Sequence, residues 1–547
     1  MSADDWWKFG IVYQVYPRSF QDSNGDGIGD LDGIRARLDH LVSLGVDAVW
    51  VSPIYPSPMA DFGYDISDFC GIDPRFGTLD GFDALVREAH AKGLRLILDF
   101  VPNHTSDRHP WFLQSRSART DARRDWYIWR DPAPDGGPPN NWLGNFGGPA
   151  WSFDESTNQY YAHSFLKEQP DLNWRNPEVR AAMYEVLRFW LRRGVDGFRV
   201  DVLSQIVKDE QFRDNPPNPD FVEGQDPFLR LTMLYNTDLP EVQPIVAEMR
   251  RVVDEFSDAR SSRVLIGELY LPLPRLVAYY GLTARGTLEG VHLPFNFQLI
   301  ATEWQAALID RLVRDYEAAL PPGAAPNWVL GNHDRARIAS RAGPRMARLA
   351  AMLLLTLRGT PTLYYGDEIG MTDVPIPAGE VQDPFEKNKP GMGLGRDPQR
   401  TPMQWSTAAN AGFTTASPWL RLAADWRTCN VEAQSQDPGS MLTLYRRLIA
   451  LRRARPALHR GGYEALEAGS ELLAYARESE GERLVVILNF GADPASVPPA
   501  LMPHRPFVLA STDPARAGSV EGPLMLAPCE GVVIGAGDAT GNQASPV

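Results

Sequence analysis

Short apolar runs alternate with segments of helical periodicity from residue 11 to about residue 370. The runs at 11–16, 48–52, 94–100, 197–200, 264–269, 290–293, 328–330 and 362–365 are rich in Val, Ile, Leu and aromatic residues. Such runs fit strands buried on both faces of a parallel sheet. Between them, 33–44, 81–92, 177–193 and 345–357 place apolar residues three and four apart, as helices covering a sheet do. Eight strands with intervening helices predict an α/β fold, a closed (β/α)8 barrel with its chemistry at the C-terminal strand ends.

Two stretches break the rhythm. From 104 to 171 the chain is rich in Trp, Gly, Pro and Asn, including Asn140-Asn141-Trp142-Leu143-Gly144-Asn145-Phe146-Gly147-Gly148. A connection of that length without periodicity is uncommon unless functional, so we expect an inserted, loop-rich subdomain B after strand 3. Beyond 458, alternating runs such as 472–476 and 484–489 are bounded by Gly, Glu and Pro, which predicts a C-terminal all-β sandwich domain over 459–547. The barrel then takes 1–103 and 172–458. The small, polar tail from 535 to 547 is expected to fray.

Composition narrows the partners. A formal net charge of -15 disfavours nucleic acid and anionic membranes, because both would be repelled. Cys70, Cys429 and Cys529 are too scattered for a disulfide framework or a metal-ligand spacing. The most apolar run, 349–357, lies between Arg348 and Arg358 and is too short to span a bilayer. The first residues are acidic and lack the basic-then-apolar order of a secretory signal. A cytoplasmic location is expected.

Charged groups collect at the ends of four of the strands. Asp99-Phe100-Val101-Pro102-Asn103-His104 ends the third, Gly197-Phe198-Arg199-Val200-Asp201 the fourth, Gly267-Glu268 the fifth and Asn332-His333-Asp334 the seventh. One such carboxylate could simply cap a helix or sit in a rim salt bridge. Several at one barrel mouth repel one another and resist desolvation, which argues for a use. Zinc is disfavoured, since no His-x-x-x-His helix is present and Arg199 would repel a cation. Glycosyl transfer needs one carboxylate as nucleophile and one carboxylic acid as proton donor, and this set supplies both.

The four stretches, in order and spacing, resemble the four sequence regions of the alpha-amylase family of glycoside hydrolases (family 13), which have a TIM barrel, an inserted subdomain and a C-terminal sheet domain. The resemblance implies Asp201 as nucleophile, Glu268 as general acid and base, and Asp334 as the group that holds sugar hydroxyls. It also implies that His104 and His333 bind the same glucose unit and that Arg199 keeps Asp201 ionised. With no cation beside it in sequence, Glu268 is expected to stay protonated among the anions.

Gln169-Pro170-Asp171-Leu172-Asn173-Trp174, Asp61-Phe62-Gly63-Tyr64-Asp65 and Arg400-Thr401-Pro402-Met403-Gln404-Trp405 resemble the oligo-1,6-glucosidase and alpha-glucosidase branch. There the matches to Asp61 and Arg400 close the glucose pocket, which implies exo-cleavage of short alpha-glucosides without a catalytic cofactor. Tyr64, Phe146, Phe165 and Phe297 are candidate sugar-stacking rings. Val202, after the nucleophile, corresponds in the family to a preference for alpha-1,6 linkages, whereas Leu203-Ser204-Gln205-Ile206-Val207-Lys208-Asp209 looks closer to broad bacterial alpha-glucosidases. Sucrose isomerase, trehalose synthase, a glucosyltransferase and a non-catalytic transporter-subunit relative are the alternatives.

Asp22, Asn24, Asp26, the Ile28 carbonyl and Asp30 place oxygens at every second residue, as a hard cation prefers. Gly33 stands where an EF-hand would have its bidentate Glu. Because this motif binds calcium in the branch it resembles, a structural Ca2+ or Mg2+ is expected there, away from the chemistry.

Overall fold

The computed structural model describes residues 5–258 and 261–537, so most of the expected frayed tail lies outside the described residues. Eight parallel strands form one sheet: β1 (Val12–Val15), β2 (Ala48–Val51), β3 (Arg95–Phe100), β4 (Gly197–Val200), β5 (Val264–Gly267), β6 (Leu293–Pro294), β7 (Asn327–Val329) and β8 (Thr360–Tyr364). Neighbours run β7-β8-β1-β2-β3-β4-β5-β6, and β8 returns to β1 with Val12 opposite Thr362. A TIM barrel results, with a seam between β6 and β7 where no ladder forms among the described residues. Every residue of β1, β2, β4 and β5 is buried, which accounts for their apolarity apart from Gln14 and Arg199, whose side chains meet His333 and the acids at the barrel mouth.

Two elements depart from the sequence reading. The sixth strand starts late because Gly290 and Val291 hydrogen-bond back to Tyr280 and Tyr279. A Cβ on Gly290 would meet the Tyr279 carbonyl at 2.0 Å. The periodic segment 33–44 forms two helices, Leu31–Ala36 and Leu38–Leu44, broken at Arg37. The Arg37 guanidinium lies 4.2 Å over the Trp405 ring, and its Nε donates to Gln21 at 2.7 Å; this tertiary anchor overrides a continuous helical pattern.

Between β3 and β4 the chain leaves the barrel at His104 and returns at Asp171, and these two residues pair in an antiparallel bridge. Inside the excursion are a helix, Pro110–Ser115, and a three-stranded antiparallel sheet of Trp129–Arg130, Gln159–Ala162 and Trp151–Asp154. Ile128, Trp142, Trp151 and Ala162 give it a small core of its own. Strands of two to four residues are too short to show a period of two in the sequence.

At the C-terminus a six-stranded antiparallel sheet and a two-stranded one share an apolar core that includes Val485, Ile487, Val497 and Leu526. This unit seats on the helix Pro344–Thr356, where the Thr356 hydroxyl meets the Tyr475 phenol at 2.6 Å.

Candidate active site

The last rungs of the barrel ladders set the two central carboxylates. Asp201 N–H donates to the Phe100 carbonyl at 2.8 Å, and Glu268 N–H donates to the Val200 carbonyl at 2.9 Å. Each residue is therefore held one step beyond its strand, with its side chain at the C-terminal mouth. Asp99 and Arg199 are register partners across β3 and β4. From there the Arg199 guanidinium, 1% exposed, reaches three acids. Its NH1 donates to Asp99 at 2.7 Å and to Asp201 Oδ1 at 2.6 Å, and its NH2 stands 2.7 Å from Glu268 Oε1.

Local sequence puts Arg199 beside Asp201 alone, but the folded chain gives it equally to Glu268. Arg199 therefore does not distinguish the two acids; their other oxygens do. Glu268 Oε2 accepts the Val202 N–H at 2.9 Å, while Asp201 Oδ2 carries no hydrogen bond among the described residues. Burial raises the Asp201 carboxyl pKa and Arg199 opposes it, with Glu268 and Asp99 pushing it further up. Asp99 is pushed to about 6 by burial despite Arg199. Burial thus favours the protonated form of Asp201 and of Asp99, and Arg199 opposes it at both.

Val202 makes its bond from the left-handed region, at φ 44° and ψ 39°. A β-branched side chain there is a strained exception, which the surrounding structure must hold in place.

A second layer forms the far wall. Tyr64 stacks on His333 at 5.3 Å, with its phenol 2.7 Å from His333 Nε2 and 3.2 Å from Asp99. Gln14 meets His333 Nδ1 at 2.8 Å. Burial drives His333 well below the usual histidine range and His104 to about 4, so both rings are neutral at pH 7. Burial also works against ionised Asp334, but His333, Arg396 and Arg400 together hold its carboxyl far below the usual range. With His333 neutral, the two arginines do this at pH 7.

Arg400 is buried, donating to the His333 carbonyl and to Asp334 Oδ1, both at 2.8 Å. The partner of Asp61 is a different arginine. Arg396 NH2 donates to Asp61 and to Asp383, both at 2.6 Å, and its NH1 to Asp334 at 3.3 Å. Gln169 adds a bond to Asp61 at 3.2 Å and approaches His104 Nε2 at 3.1 Å. Arg396 was not legible as a site residue: it lies in the long excursion after β8, where neither strand end nor periodicity marks it.

The candidate aromatic residues divide in two. Phe165 lies 5.2 Å from His104 and 5.6 Å from Phe146, and the Arg396 guanidinium sits 4.7 Å over Phe146. Phe297 belongs to another wall, stacked at 4.2 Å on Tyr270, two residues past Glu268, with Arg335 over Tyr270. Lys208 was also missed. Its Nζ bonds Asn103 at 2.7 Å and pairs with Asp171 at 3.0 Å, tying the base of the insertion to β3 and β4.

The 22–30 loop lies apart from this site. Asp22 Oδ1 accepts the Asn24 and Gly25 amides, Asn24 the Asp26 amide, Asp26 the Ile28 amide, and Asp30 the Gly33 amide that starts the next helix. Among the described residues no group of three His, Cys, Asp or Glu side chains is gathered for a metal ion; the loop's carboxylates accept backbone amides and the Ser23 and Thr414 hydroxyls.

Three comparisons bear on this geometry. The alpha-amylase catalytic-domain model matches residues 14–461. A probable alpha-glucosidase of Rhizobium meliloti (strain 1021) is 42% identical over 505 residues, covering 90% of each chain. The solved alpha-glucosyl transfer enzyme XgtA has a TM-score of 0.90 at 40% identity, covering 97% of this chain and 99% of its own. A variant of the trehalulose synthase MutB has a TM-score of 0.87 at 35% identity, covering 97% and 100%.

Proposed function

Because the chain belongs to the alpha-amylase family and is a glycoside hydrolase of the alpha-glucosidase type, we propose that it releases glucose from the non-reducing end of short alpha-glucosides with retention of configuration. The observation that carries this reading is the single Arg199 guanidinium holding Asp201 and Glu268 side by side, at 2.6 and 2.7 Å. A retaining pair needs carboxyls about 5 to 5.5 Å apart, close enough for direct attack.

In this reading Asp201 Oδ2 attacks the anomeric carbon as Glu268 gives its proton to the departing oxygen. The glycosidic C–O bond breaks and an ester to Asp201 forms. Glu268, now a carboxylate, takes a proton from water, whose oxygen displaces Asp201 and restores the alpha configuration. Asp334, held ionised, accepts sugar hydroxyls, and the neutral His104 and His333 lie against the same glucose unit. Asp61 and Arg396, joined at 2.6 Å, close the blind end, which restricts cleavage to terminal glucose. Tyr64, Phe146 and Phe165 flank the same unit, while Phe297 and Tyr270 face the departing sugar. A sugar hydroxyl in place of water would give transglucosylation.

The experiment that tests this is NMR of the first-formed sugar from an aryl alpha-glucoside; a beta anomer would refute retention. Incubation with sucrose, maltose and isomaltose separates the readings of the acceptor side. Glucose as main product supports hydrolysis, whereas rearranged disaccharide would make the chain an isomerase. We also propose that Asp22, Asn24, Asp26, the Ile28 carbonyl and Asp30, an all-oxygen set, hold a structural Ca2+ or Mg2+. An unchanged melting temperature on adding calcium to chelator-treated protein would reject it.

No helix among the described residues is long and apolar enough to cross a membrane. A cytoplasmic location is proposed from the three free cysteines, and cell fractionation tests it.

A further inference from the structure

Gln14, on β1, is fully buried, and its side chain reaches His333 at the barrel mouth. Its amide nitrogen donates to Ser52 Oγ at 3.1 Å and meets His333 Nδ1 at 2.8 Å, while its amide oxygen is buried without a hydrogen-bond partner among the described residues. At the other edge of the ring, His333 Nε2 stands 2.7 Å from the Tyr64 phenol and 3.3 Å from Asp334 Oδ2. Tyr64 in turn lies 3.2 Å from Asp99 Oδ2, which also accepts the Trp50 indole N–H at 3.1 Å. One chain of contacts thus runs from Gln14 through His333 and Tyr64 to Asp99, whose other oxygen takes Arg199.

Burial keeps the His333 ring neutral at pH 7, so one nitrogen carries the hydrogen and the other a lone pair. Asp334 decides which. Its carboxylate, held ionised by Arg396 and Arg400, faces Nε2 and can only accept, so a lone pair on Nε2 would be repelled and an N–H is attracted. With that hydrogen on Nε2, the Tyr64 oxygen accepts from the ring and its own hydrogen goes to Asp99. Nδ1 is then an acceptor, and the Gln14 N–H meets it. Reversing the Gln14 amide would aim its carbonyl at the Nδ1 lone pair and leave both N–H groups where the oxygen now has no partner. Two buried donors without acceptors are the costlier arrangement.

We propose that Gln14 is a positioning residue, whose side-chain N–H holds the His333 imidazole as the tautomer with its hydrogen on Nε2. Beside Asp334 the ring then presents a donor and the carboxylate an acceptor. A sugar hydroxyl both accepts and donates, and the two groups together fit it. Without the Gln14 N–H the hydrogen is free to move to Nδ1, and a lone pair turns toward Asp334 and the substrate. Only this step to the substrate rests on the reading of the pocket as a glucoside site.

The test uses the full-length enzyme. Neutron diffraction from crystals grown in D2O should show deuterium on His333 Nε2 and none on Nδ1, with the Tyr64 deuterium toward Asp99. Deuterium on Nδ1, or on both nitrogens, overturns the tautomer. Gln14→Glu, which offers Nδ1 an acceptor alone, should bring deuterium to Nδ1; Gln14→Met, which offers neither, should leave Nε2 only partly occupied and lower kcat/KM for an aryl alpha-glucoside by about tenfold, the size of one lost hydrogen bond. Full occupancy of Nε2 in both variants would overturn the role of Gln14, because Tyr64 and Asp334 would then suffice. Should the variants not fold, the wild-type neutron map still decides the tautomer. A kcat/KM unmoved in Gln14→Met while the deuterium shifts would overturn the link to the glucoside and leave the tautomer assignment standing.

Discussion

The backbone N–H of Val202 donates to Glu268 Oε2 at 2.9 Å, and it does so from a left-handed conformation that valine rarely adopts. The residue after Asp201 thus has one role in the structure, through its amide on Glu268, and a second in the proposed reaction, through its side chain on the sugar. The two roles can be separated by mutation.

Val202→Gly removes the Cβ that makes φ 44° strained and keeps the amide. Relief of about 1 kcal/mol is expected from the usual cost of such backbone, less the added entropy of glycine in the unfolded chain. Urea unfolding measures it; a variant less stable than wild type would contradict the strain. Val202→Thr should instead shift the ratio of kcat/KM between maltose and isomaltose by up to about tenfold, a size usual for one side-chain contact.

Asp201→Asn and Glu268→Gln should each lower kcat by about a thousandfold or more while the circular dichroism spectrum stays unchanged. With an activated aryl glucoside, whose leaving group needs little protonation, Glu268→Gln should recover much of the first step and Asp201→Asn should not. Equal losses on that substrate would reject the assignment of roles.

Arg396→Met leaves Asp61, Asp383 and part of Asp334 without their shared cation. Loss of one partner from a buried ionic group typically costs about 3 to 5 kcal/mol. Lower stability and a raised KM are expected, with Arg396→Lys recovering part of the charge but not the fork to Asp61 and Asp383. An unchanged KM in Arg396→Met would detach this residue from the pocket.

Asp367, after β8, is pushed to about 7 by burial, against the pull of Arg337. Its folded pKa is raised above the unfolded value, so the folded state binds the proton more tightly. The resulting stability is complete below about pH 4 and is lost as pH rises to about 7, by on the order of 3 kcal/mol. Thermal melts across this window should fall less steeply with pH in Asp367→Asn than in wild type; parallel curves would contradict the shift.

Most of the barrel was legible because its strands lie in mostly apolar runs, and β4 matched its run residue for residue. The sixth strand was misplaced because Gly290 and Val291 look strand-like yet pair with residues 279–280, a tertiary choice invisible to local pattern. The central acids could be read since each follows a strand directly. Arg396 and Lys208 could not, because they arrive from irregular excursions and are recognised only by what they touch. The sharing of Arg199 between Asp201 and Glu268 was hidden for the same reason: sequence adjacency shows one partner, and the barrel's curvature supplies the other.

In the proposed reaction, that sharing sets the charge around the anomeric carbon. Asp99, Asp201 and Glu268 surround a single guanidinium, so even with one shared proton the group does not carry an excess of positive charge. A sugar ring approaching an oxocarbenium ion brings positive charge of its own to this spot. Neutral substrate does not, so the attraction grows as the glycosidic bond stretches, and the arrangement favours the transition state over the bound ground state.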